Sequence, residues 1–103
     1  MEIIEQNTDK LIELCVNHKV AQLYLFGSVL TNQFNESSDI DFLVQFSQVE
    51  LLEYFDNYME FKEQLENLFG RQVDLVENQA IRNPVFRKTI DRQKQLIYER
   101  KSA

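Results

Sequence analysis

Three aspartates stand beside apolar residues, where a charge without a partner is costly. Asp39 and Asp41 precede the apolar run 42–44, and Asp74 lies inside the short apolar segment 73–76. Side chains two residues apart on a strand point to the same face, so a strand here turns Asp39 and Asp41 the same way. Adjacent carboxylates repel unless a cation lies between them, and Mg²⁺ prefers such hard oxygen ligands. Three convergent carboxylates can hold two metal ions for an in-line displacement at phosphorus.

Each aspartate also has a plainer interpretation. Asp39 can belong to a polar turn with Ser37 and Ser38, which would leave Asp41 facing solvent. Asp74 can form a surface ion pair with Arg71. The residues alone leave these alternatives open.

A Gly-Ser pair precedes the aspartates at a defined distance. Gly27-Ser28 follows an apolar segment directly, and ten residues separate it from Asp39-Ile40-Asp41, giving the pattern G-S-x10-D-x-D. Glycine lets the backbone approach a ligand without an intervening Cβ, and the free N–H groups where a helix begins suit a phosphate. The turn alone is common, but a chance match to the whole pattern in this length is on the order of one in a thousand.

The elements that must position these residues alternate between helix and strand. Apolar spacing and capping signals predict four helices or helical turns and three strands, with a fourth extended segment near the end. This order is typical of an α/β fold with few strands. The predicted elements are a helix from Thr8 (capped by Asn7 or Thr8) to about Lys19, a strand 20–26, a short helix at Gly27-Ser28, a strand 39–46, a helix 49–69 ended by Gly70, a strand 73–76, a helix from Asn83-Pro84 to about Arg92, and an extended segment 95–98.

Composition limits the function classes. The chain has 103 residues, a net charge of −6, 44% hydrophobic residues and one cysteine. We expect a single domain over residues 1–103, located in the cytoplasm, with no membrane span and no disulfide. Cys15 is expected in the core, and His18 is expected near a helix end, where the helix dipole favours it.

The charge is distributed unevenly. Residues 1–81 carry 15 acids and four bases, and residues 82–103 carry seven bases and two acids. A duplex nucleic-acid binder normally has a basic face over its main body, so we expect no direct nucleic-acid binding. The basic end segment is interpreted as a solvated helix that balances an acidic body, although it can also hold a phosphate or an acidic partner.

With these motifs in place, the sequence resembles the minimal nucleotidyltransferase (MNT) family of the DNA polymerase beta-like superfamily. The resemblance implies a small nucleotidyltransferase fold, with a short mixed β-sheet of three to four strands flanked by α-helices. Stand-alone members of this length resemble antitoxins encoded beside a HEPN-domain partner. The residues that carry the resemblance are Leu25-Phe26-Gly27-Ser28, Ser38-Asp39-Ile40-Asp41-Phe42-Leu43-Val44 and Val73-Asp74-Leu75-Val76.

The resemblance implies an activity and a role for each residue. A nucleoside monophosphate, typically AMP from ATP, would be transferred to a tyrosine of a HEPN toxin and silence its RNase activity. Gly27 and Ser28 would bind the triphosphate. Asp39 and Asp41 would ligate both of two Mg²⁺ ions, and Asp74 would ligate the catalytic ion and help to take the proton of the attacking hydroxyl. A homo- or hetero-oligomer fits this role.

The sequence also departs from the family pattern. Many members carry an Arg one or three residues after the Gly-Ser pair, where this chain has Val29 and Thr31. Loss of that Arg removes a charge-assisted phosphate contact. Two alternatives therefore stay open: an antitoxin that acts by binding alone, suggested also by the apolar helix 49–69, or a transferase acting on a small molecule. The second is disfavoured because 103 residues leave no space for an acceptor-binding domain.

Overall fold

The predicted helices and strands occur in the predicted order, with a short helix α1 and a second 3₁₀ turn added to them. A computed structural model describes residues 2–100, without the side chains of Ser28 and Val29. The elements are α1 (Glu2–Glu5), α2 (Thr8–Asn17), β1 (Val20–Phe26), a 3₁₀ turn (Gly27–Leu30), β2 (Ile40–Phe46), α3 (Leu51–Phe69), β3 (Val73–Glu77), a second 3₁₀ turn (Asn78–Ala80), α4 (Pro84–Gln93) and β4 (Gln95–Glu99).

The four strands form one mixed sheet in the order β3-β2-β1-β4. Strand β1 is antiparallel to β2 and β4, whereas β2 and β3 are parallel. Parallel neighbours need a crossover connection, and α3 supplies it. The expectation of an α/β fold with a short mixed sheet flanked by helices is confirmed.

The two faces of the sheet are covered differently. Helices α2 and α3 bury one face, to which β2 contributes Ile40, Phe42, Val44 and Phe46. The alternate residues of β2 point to the other face, where a smaller apolar cluster joins Phe26, Leu43 and Ile90 of α4. Asp41 belongs to this second face, which the single helix α4 covers.

Cys15 lies in the core and His18 directly follows α2, both in the predicted positions. Cys15 is fully buried, and burial raises the pKa of its thiol to about 12. His18 is buried at the end of α2, where its Nδ1 donates to the carbonyl of Leu14 at 2.8 Å and its ring lies 5.4 Å from that of Phe61. Both residues serve packing.

The side-chain capping bond predicted at the start of α2 does not form. Asn7 occupies the cap position, but its side chain makes no capping bond and donates to the carbonyl of Ile3. Thr8 donates to the carbonyls of Ile4 and Glu5. The short helix α1, which the sequence pattern did not indicate, presents these carbonyls and so captures both side chains. By contrast, Asn83 caps α4 as predicted and accepts from the N–H groups of Val85 and Phe86.

The exposed edge of β3 is closed by α3. Tyr58 donates its hydroxyl to the carbonyl of Leu75, and the carboxylate of Glu66 accepts from the N–H of Val73 at 3.0 Å. Unpaired groups on an edge strand invite pairing with other chains. These bonds occupy that edge and fix β3, which carries Asp74. Over the described residues, no helix has both the length and the apolar character needed to cross a membrane.

Candidate active site

The backbone at Gly27 and the carboxylate of Asp41 approach each other closely. Gly27 follows β1 directly and has φ +79°, a conformation that L side chains rarely adopt. A Cβ at this position would lie 2.2 Å from Oδ2 of Asp41. Glycine is therefore required here twice, by its backbone conformation and by the lack of space for a side chain. The Gly-Ser pair and the second aspartate of the motif meet in the fold.

Strand pairing sets the positions of the aspartates. Phe26 pairs with Asp41 across β1 and β2, and Asp41 pairs with Asp74 across β2 and β3. Paired residues on neighbouring strands point to the same face, with strands about 4.8 Å apart. Strand β2 begins at Ile40, one residue later than predicted, so Asp39 lies directly before the strand. Asp41 and Asp74 therefore share one end of the second sheet face, next to Gly27, and Asp39 precedes that end in the chain.

The donors have the chemistry that Mg²⁺ requires, but their side chains do not form a finished coordination group. Within residues 2–100, no three or more His, Cys, Asp or Glu side chains are arranged to hold a metal ion. Asp39 and Asp74 are exposed, and Asp41 is half-buried against Gly27. The three aspartates offer hard oxygen donors, and Gly27 keeps the backbone next to Asp41 free of a Cβ. Together these features suit a metal-bound phosphate. Ligation by Asp39, Asp41 and Asp74 stays a prediction.

The backbone of the Gly-Ser pair has the predicted form. Gly27–Leu30 forms a 3₁₀ turn that begins directly at the end of β1. The side chain of Ser28 lies outside the described residues, so its role in phosphate binding stays a prediction.

Arg71 does not form the surface ion pair with Asp74 that the sequence left open. Its Nη1 instead donates to the carbonyls of Asn35 and Ser38, at 3.0 Å each. Its guanidinium also lies over the Phe34 ring, 4.6 Å from the centroid. This contact spans more than 30 residues of sequence, and no local motif indicates it.

Two residues of the basic end segment have structural contacts. Arg87 donates to the side chain and the carbonyl of Asn78, each at 2.6 Å, and Asn78 donates to Gln45 at 3.1 Å. These bonds attach α4 to the end of the sheet opposite the aspartates. Lys94 pairs with Asp91 at 3.0 Å, at the end of α4. The balancing of an acidic body by this segment stays a prediction.

The sequence of this chain is similar to a known protein family and to several of its members. A family model described as polymerase beta nucleotidyltransferase matches residues 9–103. A Methanocaldococcus jannaschii protein named as a candidate protein adenylyltransferase is 38% identical over 81 residues, which span 79% of this chain and 78% of that protein. The protein adenylyltransferase MntA of Thermococcus cleftensis is 35% identical over 73 residues, 71% of each chain.

Solved structures share the fold. One assigned as a minimal nucleotidyltransferase has a TM-score of 0.75 at 29% identity, over 91% of this chain and 92% of that one. A chain from a complex of tri-AMPylated Shewanella oneidensis HEPN toxin with MNT antitoxin has a TM-score of 0.64 at 22% identity, over 93% of this chain and 72% of that one. The match over residues 9–103 and the identity to these relatives place the chain in the polymerase beta nucleotidyltransferase family.

Proposed function

We propose that this chain transfers AMP from ATP to a tyrosine hydroxyl of a HEPN-domain toxin and so acts as its antitoxin. The observation that carries the proposal is the close approach of Gly27 to the Asp41 carboxylate, with Asp74 in register beside it. The names of the relatives, protein adenylyltransferase and MNT antitoxin with an AMPylated HEPN toxin, support AMP as the transferred group and a HEPN-domain protein as the acceptor. The choice of tyrosine rests on the family resemblance alone.

The reaction assigns a role to each residue. The phosphates of ATP lie against the Gly27 backbone, and the Ser28 hydroxyl donates to one of them. The tyrosine oxygen forms a bond to the α-phosphorus, the bond from that phosphorus to the bridging oxygen of the β-phosphate breaks, and pyrophosphate leaves. The Asp74 carboxylate takes the tyrosine proton. Asp39, Asp41 and Asp74 would hold two Mg²⁺ ions, whose charge would offset that of the triphosphate.

Metal ions are expected to neutralise more of the triphosphate charge in this site than in a nucleotide site lined by Lys and Arg. No Lys or Arg occurs between Lys19 and Lys62, and the pattern position of the family Arg is occupied by Val29 or Thr31. The cation Arg71 is held by backbone carbonyls. Ions held by the aspartates would therefore supply positive charge that the segment between Lys19 and Lys62 lacks.

The test is co-expression with the protein encoded next to this chain, followed by the intact mass of that neighbour. We expect a gain of one or more AMP groups, with a product that no longer cleaves RNA. An Asp39→Asn, Asp41→Asn double variant is the control and should leave the mass unchanged. A tight complex with no mass gain in either case would overturn the catalytic proposal.

A second candidate function, neutralisation by binding alone, is favoured by the exposed start of α3. Leu52 and Phe55 are 95% and 69% exposed, and Leu51 and Met59 are also exposed. Scattered apolar residues are normal on a surface, but an apolar group on one helix start is typical of a docking site. The occupant that fits the proposed function is the HEPN-domain partner.

A Phe55→Gln variant tests whether the start of α3 is the docking surface. Truncation of a buried aromatic anchor typically costs about 2 kcal/mol or more, so we expect binding of the HEPN-domain partner to weaken by roughly 30-fold. Titration calorimetry of the purified pair measures this change. Leu96→Gln, at a half-exposed apolar residue on the β4 edge, is the matched control and should leave the affinity unchanged. If both variants bind the partner as tightly as the unmodified chain does, the start of α3 is not the docking surface.

A further inference from the structure

Arg71 connects two segments that meet at the candidate site. It lies between α3 and β3, three residues before Asp74, and its side chain reaches the loop that leads into β2. There its Nη1 donates to the carbonyls of Asn35 and Ser38, and its guanidinium covers the Phe34 ring. Ser38 directly precedes Asp39. One side chain thus contacts the backbone on which the first aspartate of the motif is placed.

The loop has its own internal bonds, which give it a shape but not a position. The N–H of Ser38 donates to the Asn35 carbonyl, the N–H of Asn35 donates to Ser38 Oγ, and both the N–H and the hydroxyl of Ser37 donate to Asn35 Oδ1. These bonds close a turn over residues 35–38. Arg71 attaches that turn to the β3 side of the sheet, next to the backbone bond from Ile40 to Gln72.

The chemistry of Arg71 suits a fixed attachment. A guanidinium is planar and always charged, and its several donors have fixed directions, so it can bond carbonyls and stack on an aromatic ring at once. Its Nε is buried and makes no hydrogen bond among the described residues. A buried donor without a hydrogen bond costs free energy, so the contacts of Nη1 and of the guanidinium plane hold the side chain in place. Because Nη1 is occupied by two carbonyls, Arg71 acts on the loop backbone.

We infer that Arg71 is a positioning residue: it holds the turn 35–38 so that Asp39 is presented to the metal-bound triphosphate beside Asp41. This inference rests on the proposed nucleotidyl transfer and deepens it, because it assigns the geometry of Asp39 to a residue outside the motif. Groups that support metal ligands typically change metal affinity or activity 10–100-fold when they are lost.

The experiment measures Mn²⁺ affinity in the presence of a non-hydrolysable ATP analogue, by electron paramagnetic resonance, alongside the AMP-transfer rate. Arg71→Met should weaken Mn²⁺ binding by about 10-fold or more and lower kcat, with little change in the KM for ATP. Arg71→Lys keeps the charge but not the fork of donors and should fall between. Arg87→Met is the control, because Arg87 makes two comparable bonds to Asn78 at the other end of the sheet. It should leave Mn²⁺ affinity unchanged.

A double-mutant cycle shows whether Arg71 acts through Asp39. If it does, Arg71→Met combined with Asp39→Asn should lose no more Mn²⁺ affinity than Asp39→Asn alone. Additive losses, or an Arg71→Met variant that binds Mn²⁺ as the unmodified chain does, would overturn the inference. If Arg71→Met does not fold by circular dichroism, the same cycle with Arg71→Lys decides. Failure of the unmodified chain to bind Mn²⁺ with the analogue would instead overturn the proposed function.

Discussion

Replacing Asp41 with Asn is expected to abolish AMP transfer while the fold survives. Asn has nearly the same shape, so the approach of this side chain to Gly27 is kept, and the charge is lost. Metal stabilisation of a phosphoryl transition state is worth several kcal/mol, so we expect kcat to fall by roughly 100-fold or more. Incorporation of labelled AMP into the HEPN-domain partner measures the rate, and thermal unfolding measures the fold.

The matched control is Asp9→Asn. Asp9 is an exposed carboxylate on α2, away from the second sheet face that carries Asp41 and from the exposed apolar residues of α3. Its substitution removes the same charge from the same acidic chain and should leave the rate within about twofold, because exposed charges interact weakly. Equal rates for Asp41→Asn and Asp9→Asn would remove Asp41 from the proposed machinery.

Gly27→Ala should also inactivate the chain, by a different route. The added Cβ would lie 2.2 Å from Oδ2 of Asp41, and the left-handed backbone at φ +79° strains any L side chain. Asp41 must turn away or the turn after β1 must shift, and either movement separates groups that the reaction needs together. We expect transfer to fall by on the order of 100-fold, since misplacement by about 1 Å has an effect of that size. The labelled-AMP assay measures it.

Gly70→Ala is a control that isolates the cause. Gly70 ends α3 with φ +66°, nearly the same left-handed backbone, but its Cβ would meet no atom within 4 Å. Both alanine variants should lose about 1–2 kcal/mol of unfolding free energy from backbone strain. Only Gly27→Ala should lose transfer, at a temperature where both are folded. Full activity in Gly27→Ala would contradict the proposed close approach of substrate to this backbone.

Local signals in the sequence predicted most of the fold. The apolar segments bounded β1 at residues 20–26, and Gly70 and Asn83-Pro84 marked the end of α3 and the start of α4. These features are local, because the apolar run of a strand and the cap of a helix each depend on a few consecutive residues. The motif spacing likewise predicted that Gly27 and Asp41 belong together, and the fold brings them into close approach.

Contacts between distant segments were not predictable in the same way. Ile12 lies three residues before the buried Cys15, a spacing that predicts the same helix face, yet Ile12 is 39% exposed, because helical spacing does not show how wide the buried face is. Leu51 and Phe55 fit the apolar pattern of α3 and yet are 87% and 69% exposed. The hydrogen bonds of Arg71 go to the Asn35–Ser38 turn, which comes close to Arg71 only in the folded chain.

The pairing of Asp41 with Asp74 has a consequence for cooperativity. These residues come from strands separated by the 19 residues of α3, and β3 lies at the edge of the sheet. Opening of β3 would take Asp74 away from Asp41 while β1 and β2 stay paired. The bonds of Tyr58 and Glu66 to the outer edge of β3 oppose that opening. Helix α3 therefore has two roles: it buries the first sheet face, and it keeps Asp74 beside Asp41.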